Sequence, residues 1–128
     1  MENILKDFHS AGFLLSNPKI CCKIKKASAQ NEHESCGIAT PADLFILENI
    51  HENPKTHFLI NPVEYFKILH SHNIWFIWHS HVTGDCEPSF EDIFSAKAHA
   101  YKSLIYSVEK NKFCFFGVNP YTSVYFSF

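Results

Sequence analysis

Residues 74–92 read Ile74-Trp75-Phe76-Ile77-Trp78-His79-Ser80-His81-Val82-Thr83-Gly84-Asp85-Cys86-Glu87-Pro88-Ser89-Phe90-Glu91-Asp92. The apolar approach from Asn73 to Trp78 is short, aromatic and β-branched, and reads as a buried strand. Side chains alternate along a strand, so His79 and His81 emerge on one face at its C-terminal end as a chelating pair. Pro88-Ser89 followed by Asp92 and Ile93-Phe94-Ser95-Ala96 reads as a helix start, with Ser89 and Asp92 sharing its first turn. Two imidazoles and one carboxylate with a coordination position left open form the ligand set of a catalytic zinc rather than a structural one.

Each half has a plainer reading. Histidine pairs occur on exposed strand ends, and Ser-x-x-Asp is also a helix cap with an acid favoured by the helix dipole. In this order, however, His-Ser-His, seven residues, Ser, two residues, Asp resembles the signature of the JAMM/MPN metalloprotease family without an insertion.

Outward from that stretch, a chain of 128 residues with 46% hydrophobic content has matter for one core and therefore for one domain. The net charge is −2 and all 11 basic residues are lysines, so the bidentate guanidinium groups suited to phosphate and base edges are absent. Nucleic acid is not an expected partner. Lys19, Lys23, Lys25 and Lys26 cluster as a solvated helix face. The charged start Met1-Glu2-Asn3-Ile4-Leu5-Lys6-Asp7 does not read as a signal peptide, and no apolar run reaches membrane-spanning length. A cytoplasmic setting and no membrane partner are expected. Five cysteines, an odd number without C-x-x-C spacing, argue against a disulfide framework and against a cysteine-ligated zinc.

Taken in order, residues 3 to 9 read as a short helix, and residues 1–17 as an extension packed on the domain at 18–128. Pro18 opens a helix to about Gln30, with Ile20, Cys21, Ile24 and Ala27 at helical spacing. The small-residue segment around Cys36-Gly37-Ile38-Ala39 opens a strand. Asp43 to Glu52 reads as a strand that loses its apolar character, and His57-Phe58-Leu59-Ile60 as a second, short one. Asn61-Pro62 begins a helix ending near His72, with Val63, Phe66 and Leu69 as its stripe. His70 and His72 repeat the His-x-His pattern, but residues two apart on a helix diverge by about 200° and do not grip one ion. They read as solvent-facing. Phe90 to Tyr101 continues as a helix, inner side Ile93, Phe94 and Lys97 to Ala98, with His99 exposed. Strands follow at 102–108, 113–118 and 123–126, with a turn at Lys110-Asn111-Lys112.

The resemblance extends upstream. Prokaryotic JAMM domains carry Glu-x-Cys-Gly after the first long helix, and this chain has Glu34-Ser35-Cys36-Gly37; Glu32 does not match the spacing. The stretch from Asn49 through Pro54 to Pro62 and Tyr65 is similar to the JAMM domains of phage tail assembly proteins. The resemblance covers about residues 19 to 118, with Val82 where many members have proline.

What the resemblance implies is an α+β fold, a single JAMM/MPN (cytidine-deaminase-like) domain with a central curved mixed sheet flanked by helices. It implies one Zn2+ held by His79, His81 and Asp92, Glu34 as general base towards the water, and Ser89 as an oxyanion donor. The activity implied is hydrolysis of a peptide or isopeptide bond in a protein substrate, in phage or prophage tail assembly. Two alternatives remain: processing of a small ubiquitin-like protein, and a zinc-stabilised assembly factor without turnover. Nucleotide deamination would need His-x-Glu followed by Pro-Cys-x-x-Cys, which is absent. Cys86, between the ligands, reads as a packed residue, with ligation at the open position as its alternative.

Overall fold

The computed structural model describes residues 18–41, 43–99, 101–116 and 124–127. Its elements are α1 (Pro18–Ala29), β1 (Cys36–Ala39), β2 (Leu44–Leu47), α2 (Pro62–Ser71), β3 (Phe76–His81), α3 (Phe90–His99), β4 (Ser103–Ser107), β5 (Lys112–Phe116) and β6 (Val124–Ser127). One sheet runs in the order β2-β1-β3-β4-β5-β6. Among the described strands only β3 and β4 pair in parallel. A parallel pair needs a crossover, and the chain between them carries α3.

Strand alternation divides the core. Phe76 and Trp78 of β3, Leu104 and Tyr106 of β4, and Phe113 and Phe115 of β5 pack on one face with Cys21 and Ile24 of α1. Ile77, Cys36 and Ile38 point to the other face, against Ile60 and Ile68 of α2. Further along that face Ile105, Cys114 and Phe116 meet Ala96 of α3 and Cys86. His79 continues the Ile77 row, so α2 and α3 flank it while α1 covers the back. The sheet is thus mixed and flanked by helices on both faces.

Gly37 sits opposite Trp78 in the ladder. The Trp78 indole reaches over β1 and donates from Nε1 to the Phe45 carbonyl of β2 at 3.2 Å. A Cβ on Gly37 would lie 1.8 Å from that oxygen and 2.6 Å from Nε1. Only glycine lets the indole cross, which is the physical content of the Cys-Gly step.

Several expectations change. The strand expected from Asp43 to Glu52 is only Leu44–Leu47, because its partner β1 offers four residues and no more. His57–Ile60 forms no strand; a single bridge joins Asn49 to Ile60. The α2 stripe is reversed, since Val63, Phe66 and Leu69 are exposed and Ile68 is the buried residue. On α3 the inner residue is Ala96 with Ile93 half-buried, while Phe94, Lys97 and Ala98 are exposed. His70 is exposed, but His72 is half-buried, with its ring 5.2 Å from that of Phe45. Lys112 belongs to β5 rather than to the turn, which residues 108–111 make with Asn111 at φ 51°. The helix expected at residues 3–9, the extension to residue 17, the His99 side chain and residues 117–118 lie outside the described residues. The five cysteines, all among the described residues, form no disulfide. Among the described residues no helix is long and apolar enough to cross a membrane.

Candidate metal centre

The C-terminal end of β3 and the first turn of α3 build the site. His79 and His81 are two apart on β3 and share its α3-facing side. Asp92 lies in the first turn of α3, and its position there is set by a reciprocal cap. Ser89 Oγ accepts from the Asp92 N–H at 3.1 Å, and Asp92 Oδ2 accepts from the Ser89 N–H at 2.9 Å. This is a capping box in which Asp92 takes the usual Glu place. The cap turns Oδ2 back towards β3, 3.3 Å from His79 Nε2 and 3.2 Å from His81 Nε2. The plain and functional readings of Ser-x-x-Asp therefore coincide, since the cap is what aims the carboxylate. Ligand atoms of His79, His81 and Asp92 all lie within 4.8 Å of one another.

The donor chemistry favours a cation between them. His81 Nδ1 donates to the Asp85 carbonyl at 2.8 Å, so in the neutral imidazole the lone pair is on Nε2, facing the Asp92 carboxylate. Two acceptors 3.2 Å apart repel unless a proton or a metal sits between them. His79 is fully buried, and neither of its ring nitrogens has a hydrogen-bond partner. Its Nε2 is near Asp92 without the alignment of a hydrogen bond, so proximity alone leaves it unsatisfied. Leaving such a buried group unpaired costs about 1–3 kcal/mol, and zinc takes imidazole nitrogen and carboxylate oxygen in this arrangement. The residues present fit the ion.

The electrostatics agree. Burial drives the His79 pKa below its ordinary value, favouring the neutral, ligating form. For His81 burial pulls down, but its hydrogen bonds to Asp92 and Asp85, with the charges of Asp92 and Glu34, leave its pKa raised. For Asp92 burial pushes up, yet His79 beside it and the hydrogen bonds from His81 and the Ser89 N–H hold the carboxyl well below the usual range.

Glu34 comes from far in sequence through strand register. Cys36 pairs with His79, and continuing that antiparallel ladder outward sets Glu34 across from His81. Two bonds extend the pairing past β1: Ser35 N–H donates to Ser80 Oγ at 2.8 Å and Ser80 N–H to the Ser35 carbonyl at 2.9 Å. Glu34 is 5% exposed. Burial raises its pKa to about 8; the His81 charge works against the rise and the Asp92 charge with it. The acid thus stands beside the three-residue cluster and titrates near neutrality.

Two residues of the site, both within the 49–65 stretch, are given no role by the sequence. Phe58 stacks on the His79 ring, centroids 4.3 Å apart. Asn49 ties the surrounding loops together: Nδ2 donates to the carbonyls of Glu34 and His57, both at 2.9 Å, while Oδ1 accepts from the N–H groups of His51 and Leu59. The available signal for Asn49 was an amide within a stretch otherwise read as strand, where asparagine is disfavoured. Among the other candidates, His70 and His72 stand outside the cluster, and Cys86 packs with Ala96, Ile105 and Cys114 instead of joining the ligands.

The profile of the prokaryotic homologs of the JAB domain matches residues 23–118. Among solved structures, protein DSY2949 from Desulfitobacterium hafniense is similar at a TM-score of 0.60 and 18% identity, over 86% of this chain and 84% of that one. AF2198, a JAB1/MPN domain protein from Archaeoglobus fulgidus, aligns at a TM-score of 0.43 and 13% identity, over 84% and 82% of the two chains. A search of the curated proteins gives no match.

Proposed function

Because the chain belongs to the prokaryotic homologs of the JAB domain, a family whose wider membership includes zinc metalloisopeptidases, we propose that it is a JAMM-type zinc metallopeptidase cutting a peptide or isopeptide bond. The observation that carries the reading is the buried acid beside a His-His-Asp cluster whose His79 ring has no hydrogen-bond partner: three ligand side chains within 4.8 Å and Glu34 electrostatically coupled to two of them. His79, His81 and Asp92 would hold the ion. A divalent zinc there supplies a Lewis acid that polarises a carbonyl and acidifies water.

The remaining work falls to the chain itself. Glu34, with its pKa raised to about 8, is basic enough to take a proton from water and acidic enough to release it to a departing amine. Its burial keeps bulk water from competing for that proton. Ser89, exposed at the α3 cap, keeps a hydroxyl hydrogen that can be offered to a developing oxyanion, because its oxygen lone pair engages the Asp92 N–H. Asn49, holding the Glu34 carbonyl and the 57–59 segment together, fixes the acid's backbone to that segment. The substrate is a protein or peptide, and the similarity of residues 49–65 to phage tail JAMM domains supports a role in phage or prophage tail assembly.

The test is direct. Glu34→Gln should bind one zinc per chain as the wild type does and lose hydrolysis by at least ~100-fold, the scale of a lost general base. Equal hydrolysis by both proteins would remove Glu34 from the chemistry, and zinc uptake without turnover by either would leave a zinc-stabilised assembly factor.

A further inference from the structure

Two hollows adjoin the metal cluster on the α2/α3 face. An inner one of about 310 Å³ is lined by Phe58, Ile60, Tyr65, Ile77 and Tyr101 among others, and an outer one by His51, His57, Phe90, Asp92 and Phe94. They share Phe58, Leu59 and Ser95, and so form one trough with Asp92 in its wall. Phe90 and Phe94, one helical turn apart on α3, stand on its rim at 80% and 66% exposure. Leu59, half exposed, faces them from the other lining segment. Exposed apolar side chains grouped around a hollow mark a surface that a ligand or partner covers.

Resting on the peptidase reading, we propose that this trough is a specificity subsite for a bulky apolar side chain, aromatic or leucine-like, in an extended polypeptide lying next to the scissile bond. The occupant is tied to the site because Asp92 belongs to both: whatever fills the outer hollow touches the ligand carboxylate's own helix turn. The polar end of the trough limits what enters. His57 Nε2 lies 3.8 Å from Glu91 Oε1, and the His51 and His57 rings stack at 4.8 Å, so that end is occupied by contacts among its own side chains. The inner hollow, near the ~300 Å³ lower limit of ligand pockets, suits a single large side chain and would be left unfilled by a Gly-Gly tail. The trough therefore separates this chain's substrate from a glycine-tailed one.

The experiment measures binding apart from turnover. Zinc-loaded Glu34→Gln is titrated into fluorescein-labelled decapeptide pools in which one fixed position is Phe, Leu, Ser or Gly, and into a peptide ending in Gly-Gly, with anisotropy as the readout. Phe and Leu pools should bind roughly 10-fold or more tighter than Gly pools, the effect of burying one such side chain. Adding Phe90→Ser and Phe94→Ser should shrink that preference to under about 2-fold, with zinc content and melting temperature unchanged because both rings are exposed. Absence of binding, binding of the Gly pools or of the Gly-Gly peptide as tight as that of the Phe and Leu pools, or a preference that survives both serines would overturn the proposal. Incubating the same pools with the wild-type protein reports on the hydrolase separately: selective binding without zinc-dependent cleavage would refute the peptidase and leave the trough as a binding site for apolar side chains only.

Discussion

The buried acid gives the sharpest test of the site, because it couples stability to pH with a definite sign. Glu34 has its pKa raised from 4.5 to about 8 in the folded, metal-free protein, chiefly by burial. A carboxyl whose folded pKa lies above its unfolded value stabilises the fold most below pH 4.5, where both states hold the proton. That contribution is lost as the pH climbs through 8, because ionisation is easier in the unfolded chain. At 1.36 kcal/mol per pH unit, the span from 4.5 to 8 sets a ceiling of roughly 5 kcal/mol, which water entering on ionisation would lower to roughly 2–4. Glu34→Gln removes the titration while keeping the shape. In metal-free protein, urea unfolding at pH 5 and pH 8 should therefore show the variant nearly equal to wild type at pH 5 and more stable by roughly 2 kcal/mol or more at pH 8. The difference between proteins, rather than either curve alone, isolates Glu34 from Asp92, whose lowered pKa has the opposite sign. A constant difference across that range would mean that Glu34 ionises at an ordinary pKa, and the buried base would be lost with it.

Three further outcomes follow from the same geometry. Gly37→Ala drives a methyl into the Phe45 carbonyl and severs the Trp78 indole bond, at roughly 3–6 kcal/mol from overpacking plus an unsatisfied N–H; a urea midpoint within ~0.5 kcal/mol of wild type would contradict the crossing indole. Saturating zinc, at ~1,000 times Kd, should add ~4 kcal/mol and raise the melting temperature on the order of 10 °C, and Asp92→Asn should abolish that rise in a calorimetric scan; the same rise in the variant would place the ion elsewhere. Asn49→Ala strands two carbonyls and two N–H groups and should cost roughly 2–4 kcal/mol in urea unfolding while leaving zinc stoichiometry unchanged; a cost below ~0.5 would mean water replaces the amide freely.

How far the sequence reveals this site depends on the range of each contact. His79 and His81 are readable because strand alternation is local, and Asp92 because a capping box spans three residues. Glu34 is 45 residues before His79, and nothing local separates it from Glu32; only the β1–β3 register distinguishes the two, and register is decided by tertiary pairing. The family resemblance supplied what local physics did not. The α2 stripe failed for a different reason: the helix carries apolar residues on two sides, Val63-Phe66-Leu69 and Tyr65-Ile68, and periodicity cannot say which side finds a partner. The same ambiguity on α3 turned Phe94 outward, and there the outward residue borders the site.

The segment 57–60 shows how a misreading can locate function. Its composition is that of a strand, yet it has a single bridge and no ladder. The missing rungs are replaced by one side chain: Asn49 donates to the His57 carbonyl and accepts from the Leu59 N–H, as a paired strand residue would through its backbone. Because the same amide also donates to the Glu34 carbonyl, the segment is fastened to the acid instead of to the sheet. Phe58, between the two anchored residues, is thereby laid over His79. Strand-like residues that forgo the ladder are held here by a polar clamp, and the clamp joins the acid, a ligand and the trough wall into one unit. Asn49→Ala should therefore disturb Glu34 and the trough together, and a variant that disturbed one without the other would refute the clamp.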